Sequence, residues 1–235
     1  MRNNFLLTLA ILLACTCAAP TRAQTEEIVV TGTRVSGGDY SRIPAVVLTR
    51  RADFLVQRIR LINDTRAQES RTRELYQTIR DMVADASKQP GIALGYGDEF
   101  LIPITSTDYQ VPLEDGGKRP DTSATELYVK MALAEKDNVQ KAITELSGFI
   151  KKARVSGRTE VEPVGDVGLS LVTPEKYRYD IIARITEDAK RLQAAVGSQC
   201  KVEIGGLSSR VSWQRSDVSE LTLYIPYEIQ LTGCQ

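Results

Sequence analysis

The chain has no histidine in 235 residues. That removes the commonest general base, the Ser–His and Cys–His nucleophile systems, and the commonest metal ligand. Cysteine is nearly as scarce: Cys15 and Cys17 fall in the first 23 residues, and only Cys200 and Cys234 follow. A cysteine-based zinc site is excluded, because the two later cysteines are far apart and no Cys-x-x-Cys occurs. Neither sign of charge is in excess, with 30 Lys plus Arg against 30 Asp plus Glu. There is no electrostatic footprint for nucleic acid. No apolar run approaches the roughly 20 residues of a bilayer-spanning helix. Carboxylate pairs can work without histidine, and Asp98-Glu99 beside Tyr96 is a candidate of that kind. A solvated turn is the simpler account of it, so the expectation is a protein without a catalytic centre, cofactor or metal.

What is present begins with an export signal. Met1-Arg2-Asn3-Asn4 is short and basic, residues 5–14 (FLLTLAILLA) are apolar except for Thr8, and small residues lead to Ala23-Gln24. Charge, apolar core, then small residues is the secretory pattern. Two processing routes fit. Cleavage between Ala23 and Gln24 gives a soluble periplasmic protein. The run Leu12-Leu13-Ala14-Cys15 also resembles a lipobox, in which Cys15 is lipidated and the protein is lipid-anchored. Removing residues 1–23 takes away two Arg and no acid, leaving 28 basic and 30 acidic residues and a net charge of −2. The remaining 212 or so residues make one large domain or two small ones. Arginine is dense between residues 50 and 80, with eight Arg against four acids, which reads as a solvated face.

Periodicity orders the rest. Ile28-Val29-Val30-Thr31-Gly32-Thr33 is a first strand, and residues 45–49 are β-prone. Residues 54–62 alternate Leu55, Gln57, Ile59, Leu61 on one side, a half-buried strand. Asp64 or Thr65 offers an N-cap to a helix over 66–88, whose apolar face is Leu75, Ile79, Met82, Val83 and Ala86. Residues 92–104 form a strand interrupted at Gly95 or Gly97. The polar, Gly- and Pro-bearing stretch 108–122 is a loop or linker. A strand through Leu127–Leu133 follows, then a helix capped by Asp137 or Asn138 with Val139, Ala142, Ile143, Leu146, Phe149 and Ile150 on one face. Residues 159–171 are β-like. Pro174 starts a third helix that buries Ile181, Ile182, Ile185, Ala189, Leu192 and Val196, and Gly197 ends it in the left-handed conformation. Two closing strands, 201–213 and 221–231, form a C-terminal hairpin. The fold class is α+β: two β-α-β type pseudo-repeats, about 27–107 and 123–231, with amphipathic helices on a largely antiparallel sheet.

This element order resembles the SIMPL domain, a family of exported bacterial proteins. The likeness rests on Ile28-Val29-Val30-Thr31-Gly32, on the strand at 54–62 with its long helix, on Asp188-Ala189 through Gly197 before the closing strands, and on the final alternating strand. It covers nearly all of 27–231. It implies a single domain over 24–235 in the cell envelope that self-associates as a homo-oligomer or contacts another envelope protein, sometimes in stress tolerance. It carries over no active-site residues. Glu26 to Arg34 is also similar to the mature N-terminal segment of TonB-dependent receptors. A 22-stranded barrel needs far more chain than this one and a series of lipid-facing strands, so a TonB-linked component is an alternative and a receptor is not. A further alternative is a small-ligand or peptide binding protein with 108–122 as a lid.

The two late cysteines lie at the outer ends of the closing strands. Val202 opposite Leu231 and Ile204 opposite Ile229 match apolar residues at one end. Trp213 opposite Leu221 and Val211 opposite Leu223 match them at the other. The two sets are one residue out of step, so a β-bulge is expected at Gly205-Gly206. Cys200 then faces Gly233, next to Cys234. In an oxidising compartment this invites a Cys200–Cys234 disulfide.

Overall fold

The fold is organised by one strand, β3 (Phe54–Asn63). A computed structural model describes residues 26–30, 43–98, 100–116, 121–197 and 199–234. The leader, the processing positions Cys15, Ala23 and Gln24, the end of the receptor-like run and Glu99 lie outside the described residues. Leu55, Gln57, Ile59, Leu61 and Asn63 of β3 are buried on one face, as the alternation predicts. Val56 is buried on the other face. The strand is paired along both edges, to β7 (Ser123–Ala132) and to β8 (Thr159–Val172), both antiparallel.

The main sheet runs β1 (Glu27–Val30), β8, β3, β7, β4 (Ile92–Tyr96), β5 (Ile102–Ile104), and the two-residue β6 (Glu114–Asp115) adds to β7. Every pairing in it is antiparallel. Helices α1 (Gln68–Ala86) and α2 (Val139–Lys151) cover one face. The architecture is α+β, with helices on an antiparallel sheet. Asn138 caps α2 by accepting from the Lys141 N–H at 2.9 Å. The expected cap of α1 is not used: Ala67 holds the N-cap position without a side-chain bond. Asp64 instead pairs with Arg158, and Thr65 donates its hydroxyl to Glu74 at 2.8 Å.

The C-terminal quarter departs from a simple hairpin. Four short strands replace two: β9 (Lys201–Gly205), β10 (Ser212–Arg215), β11 (Glu220–Tyr224) and β12 (Glu228–Thr232). β9 and β12 pair with Val202 opposite Leu231 and Ile204 opposite Ile229, the expected register. β10 and β11 pair with Trp213 opposite Leu223, two residues from the expected partner Leu221. They join β2 (Leu48–Arg51) in a separate three-stranded sheet. Residues 206–211 face only 225–227, so the discontinuity is larger than a one-residue bulge. The cause is local. Pro226 has no N–H to give a ladder. Gly206 sits at φ +84°, where a Cβ would lie 2.6 Å from the Pro226 carbonyl oxygen. The excursion is tied to the third helix, α3 (Arg178–Val196): Arg178 donates to the carbonyls of Leu207 and Ser209. Glu175, in the 3-10 turn Pro174–Tyr177 before α3, accepts the Val211 N–H at 2.9 Å. Gly197 ends α3 at φ +93° and ψ 162°, a glycine-only conformation outside the left-handed helical well that the sequence suggests.

The end of β3 is locked to α1 by a polar junction. Asn63, fully buried, donates to Glu74 at 2.8 Å and to the Thr159 hydroxyl at 3.0 Å. Glu74 also accepts the Arg158 N–H at 3.1 Å. Hydrogen bonds from Asn63, from the Arg158 backbone and from Thr65 hold its carboxyl below the ordinary 4.5. A carboxyl depressed by folding contributes stability that is complete above its unfolded value and is lost as pH falls through its folded value. Glu74→Gln should therefore lower stability at neutral pH by about 1–2 kcal/mol. The gap to the parent should close as pH is taken below 4.5, as read by urea unfolding across that range.

Candidate functional site

The face of the sheet opposite the helices is not open. β1 and the β4–β5 hairpin lie at opposite ends of the strand order, yet the Leu101 N–H donates to the Glu27 carbonyl at 3.3 Å. The sheet curls until the chain after β4 reaches β1. The turn that allows it passes through Gly97 at φ +128°, where a Cβ would stand 2.2 Å from the Phe100 carbonyl oxygen. Inside the curl, Val56, Leu101 and Tyr128 are buried together, with Val29 and Phe54 packed against them. Burial pushes the Tyr128 hydroxyl above its ordinary range.

Three polar side chains meet within this small apolar compartment. Lys130 of β7 donates to Glu27 of β1, and Ser170 of β8 donates its hydroxyl to the same carboxylate. The Lys130 ammonium also stands 4.0 Å from the centroid of the Phe54 ring. Glu27 and Lys130 are each under a tenth exposed, and Ser170 is fully buried. A serine, a lysine and a carboxylate in contact invite a nucleophile reading. The Ser170 hydroxyl donates to Glu27, Lys130 is ion-paired with the same carboxylate, and Ser170 is fully buried. The cluster clamps the N-terminal strand onto the sheet. Sequence reasoning missed all three residues. Glu27 follows Glu26 as if in a solvated pair, and Ser170 sits unmarked between Leu169 and Leu171.

Of the carboxylate candidate, only Asp98 and Tyr96 fall among the described residues. Asp98 is exposed at the hairpin turn, Tyr96 packs toward the helix-side core, and Glu99 lies outside the described residues. The candidate lid, 108–122, is anchored along part of its length. Val111 is buried in the main core, and its carbonyl accepts the Tyr76 hydroxyl at 3.0 Å. An open groove of about 490 Å³ lies elsewhere, between residues 45–47 and the α3 side chains Arg184, Glu187, Asp188 and Arg191.

The two cysteines do come together. Cys200 and Cys234 stand at disulfide distance with Cα atoms 4.4 Å apart, Cys234 one residue past the register position opposite Cys200. They close the open end of the β9–β12 ribbon. Gln193 of α3 holds the other edge of that ribbon: its amide donates to the carbonyls of Gly197 and Cys200, and its oxygen accepts the Val202 N–H at 3.2 Å.

If the clamp is structural, Lys130→Met strands a buried carboxylate and should cost about 3–5 kcal/mol. Replacing both partners, as Glu27→Leu with Lys130→Met, should recover most of that. Urea midpoints of the parent and the two variants test this, with faster amide exchange in β1 expected only for the single variant.

No family model matches the chain, and no curated protein does. Among solved structures, a partly similar one is an amidase of the hydantoinase/carbamoylase family from Burkholderia phymatum. Its TM-score is 0.29 with 10% identity, over 66% of this chain and 39% of that one. The chain thus spans well under half of that neighbour, and a likeness of this size carries no argument about activity.

Proposed function

We propose that this is an exported cell-envelope protein of SIMPL type that acts through protein contacts, self-association among them, rather than through catalysis. The observation that carries the reading is the β9–β12 ribbon. It stands on the surface with Ile229 half-buried and Leu231 45% exposed. It is backed by α3 along one edge and held at its end by a cysteine pair at bonding distance. The export signal supports the same reading, because a structural disulfide persists only in an oxidising compartment such as the periplasm. The buried Glu27–Lys130–Ser170 cluster is consistent with it, since its polar groups are spent on one another.

A second reading, a periplasmic small-ligand binder, is favoured by the groove beside α3. Its apolar floor of Ala45, Val46 and Val47 lies under two arginines and two carboxylates, which would suit a small zwitterionic molecule. None of its lining comes from 108–122, so the lid loop has no part in it.

Non-reducing mass mapping of the purified protein should find Cys200 joined to Cys234 and no free thiol on either. Closing a loop with a sequence separation of 34 is worth roughly 3–4 kcal/mol by loop-closure entropy. The double Cys200→Ser, Cys234→Ser variant should lose about that much in urea unfolding. Light scattering on a sizing column tests the wider reading: the mature protein should elute as more than one chain, and a strict monomer at every concentration would count against self-association.

A further inference from the structure

We infer that the bare edge of β12 is a self-recognition surface: two copies of this chain join antiparallel about a two-fold axis through Gln230, making a four-stranded sheet β9-β12-β12-β9. The inference rests on the self-association proposed above and names the surface that carries it.

The direction of the main-chain groups follows from one hydrogen bond. The Val202 N–H donates to Gln193 of α3, so it points away from β12. Val202 is opposite Leu231. In an antiparallel pair, opposed residues either both point their N–H and C=O at one another or both point them away. Val202–Leu231 is therefore a non-hydrogen-bonded pair, and Ile204–Ile229, two residues along, is another. The N–H and C=O groups of Ile229 and Leu231 consequently face outward, on the side of β12 that no strand occupies among the described residues. Among the described residues nothing accepts from or donates to them. The opposite edge of the ribbon is partly held by Gln193, which accepts the Val202 N–H and donates to the Cys200 carbonyl, so among the described residues the two edges are not equivalent.

A second copy of the same edge satisfies these groups, and the register follows from the spacing. With the axis at Gln230, Ile229 of one copy lies opposite Leu231 of the other. Each such pair exchanges two N–H to C=O bonds, and symmetry gives four. Gln230 faces Gln230 and Glu228 faces Thr232, so no like charges are opposed. Thr232 is itself paired with Lys201. Glu228 therefore looks across Thr232 toward the Lys201 ammonium of the other copy, which already pairs with its own Glu203 at 2.7 Å and would be shared between the two carboxylates. Ile229 and Leu231 share a face with Val202 and Ile204, so pairing extends one apolar strip across the axis. Pro226, which could have blocked an edge, lies outside β12. A five-residue edge buries little surface, so the association belongs to the weak, concentration-dependent class.

The pairing makes a sharp cross-linking prediction. Non-hydrogen-bonded antiparallel neighbours approach to about 4.5 Å between Cα atoms, within disulfide range. Gln230→Cys should therefore cross-link to itself, giving a covalent dimer on a non-reducing gel with the Cys200–Cys234 pair intact by mass mapping. Glu228→Cys and Thr232→Cys should each stay monomeric on that gel alone and cross-link when mixed. Leu231→Pro removes an outward N–H that β9 does not use, and should weaken the dimer at least tenfold on a sizing column with light scattering. Circular dichroism and closure of Cys200–Cys234 confirm that this variant is folded. A dimer that survives Leu231→Pro, with no Gln230→Cys cross-link, overturns this surface while leaving self-association standing. A parent that is monomeric throughout overturns both.

Discussion

Everything in this fold leans on β3 being paired along its whole length on both edges. A strand in that position has no free main chain, so its neighbours β7 and β8 are fixed in register over nine or ten residues each. The one irregularity is absorbed by β8, where residues 165–167 face Gln57 alone. Gln57 is buried, and its amide reaches the carbonyls of Arg58, Val164 and Gly165 at 3.0, 3.1 and 3.2 Å. A polar residue in an apolar series thus serves as the partner that a bulge requires.

With the centre fixed, the periphery is held by directed polar contacts rather than by more apolar area. Arginine does much of this. Arg51 reaches the carbonyls of Glu135 and Asp137, Arg71 those of Thr65 and Arg66, and Arg215 those of Val167, Asp217 and Val218. A guanidinium offers five donors in a planar fork, so one side chain can satisfy two or three loop carbonyls at once. The arginine density between residues 50 and 80, which reads as a solvated face in the sequence, is partly this stitching. Arg71 is nearly buried. Arg58 and Arg60 do face solvent and pair with Glu126 at 3.5 and 3.8 Å, contacts of small energetic weight.

What the sequence showed and what it hid divide along physical lines. Period-2 and period-3.6 patterns report burial on one face, so β3, β7, α2 and the buried ridge Ile181, Ile185, Ala189 of α3 were legible. The apolar alternation through 221–231 was misleading for the same reason. Alternation continues across a break when both pieces bury the same face, and only Pro226 marked the interruption. The Cys200–Cys234 proximity was legible because pairing register is a local property of β9 and β12, which the break does not touch. The Glu27–Lys130–Ser170 clamp was not legible. It needs the strand order, and it needs the curl that turns an ordinary polar face into an interior.

Open sheet edges invite uncontrolled pairing, and this chain treats its edges differently. β5 carries Pro103, which removes a donor from that edge. The outer edge of β9 is met by Gln193 at the Val202 N–H and the Cys200 carbonyl. β12 has neither device, but it is five residues long, stops after Pro226 on one side and is tied at Cys234 on the other. A long flat edge propagates, because each added strand presents the next. A short edge whose partner side is already engaged favours stopping after one addition, since in each copy Gln193 of α3 holds the Val202 N–H and the Cys200 carbonyl on the β9 edge. The covering of β9 is therefore as much a part of β12's behaviour as its own exposure: it is what would make pairing there a finite event rather than the start of a fibre.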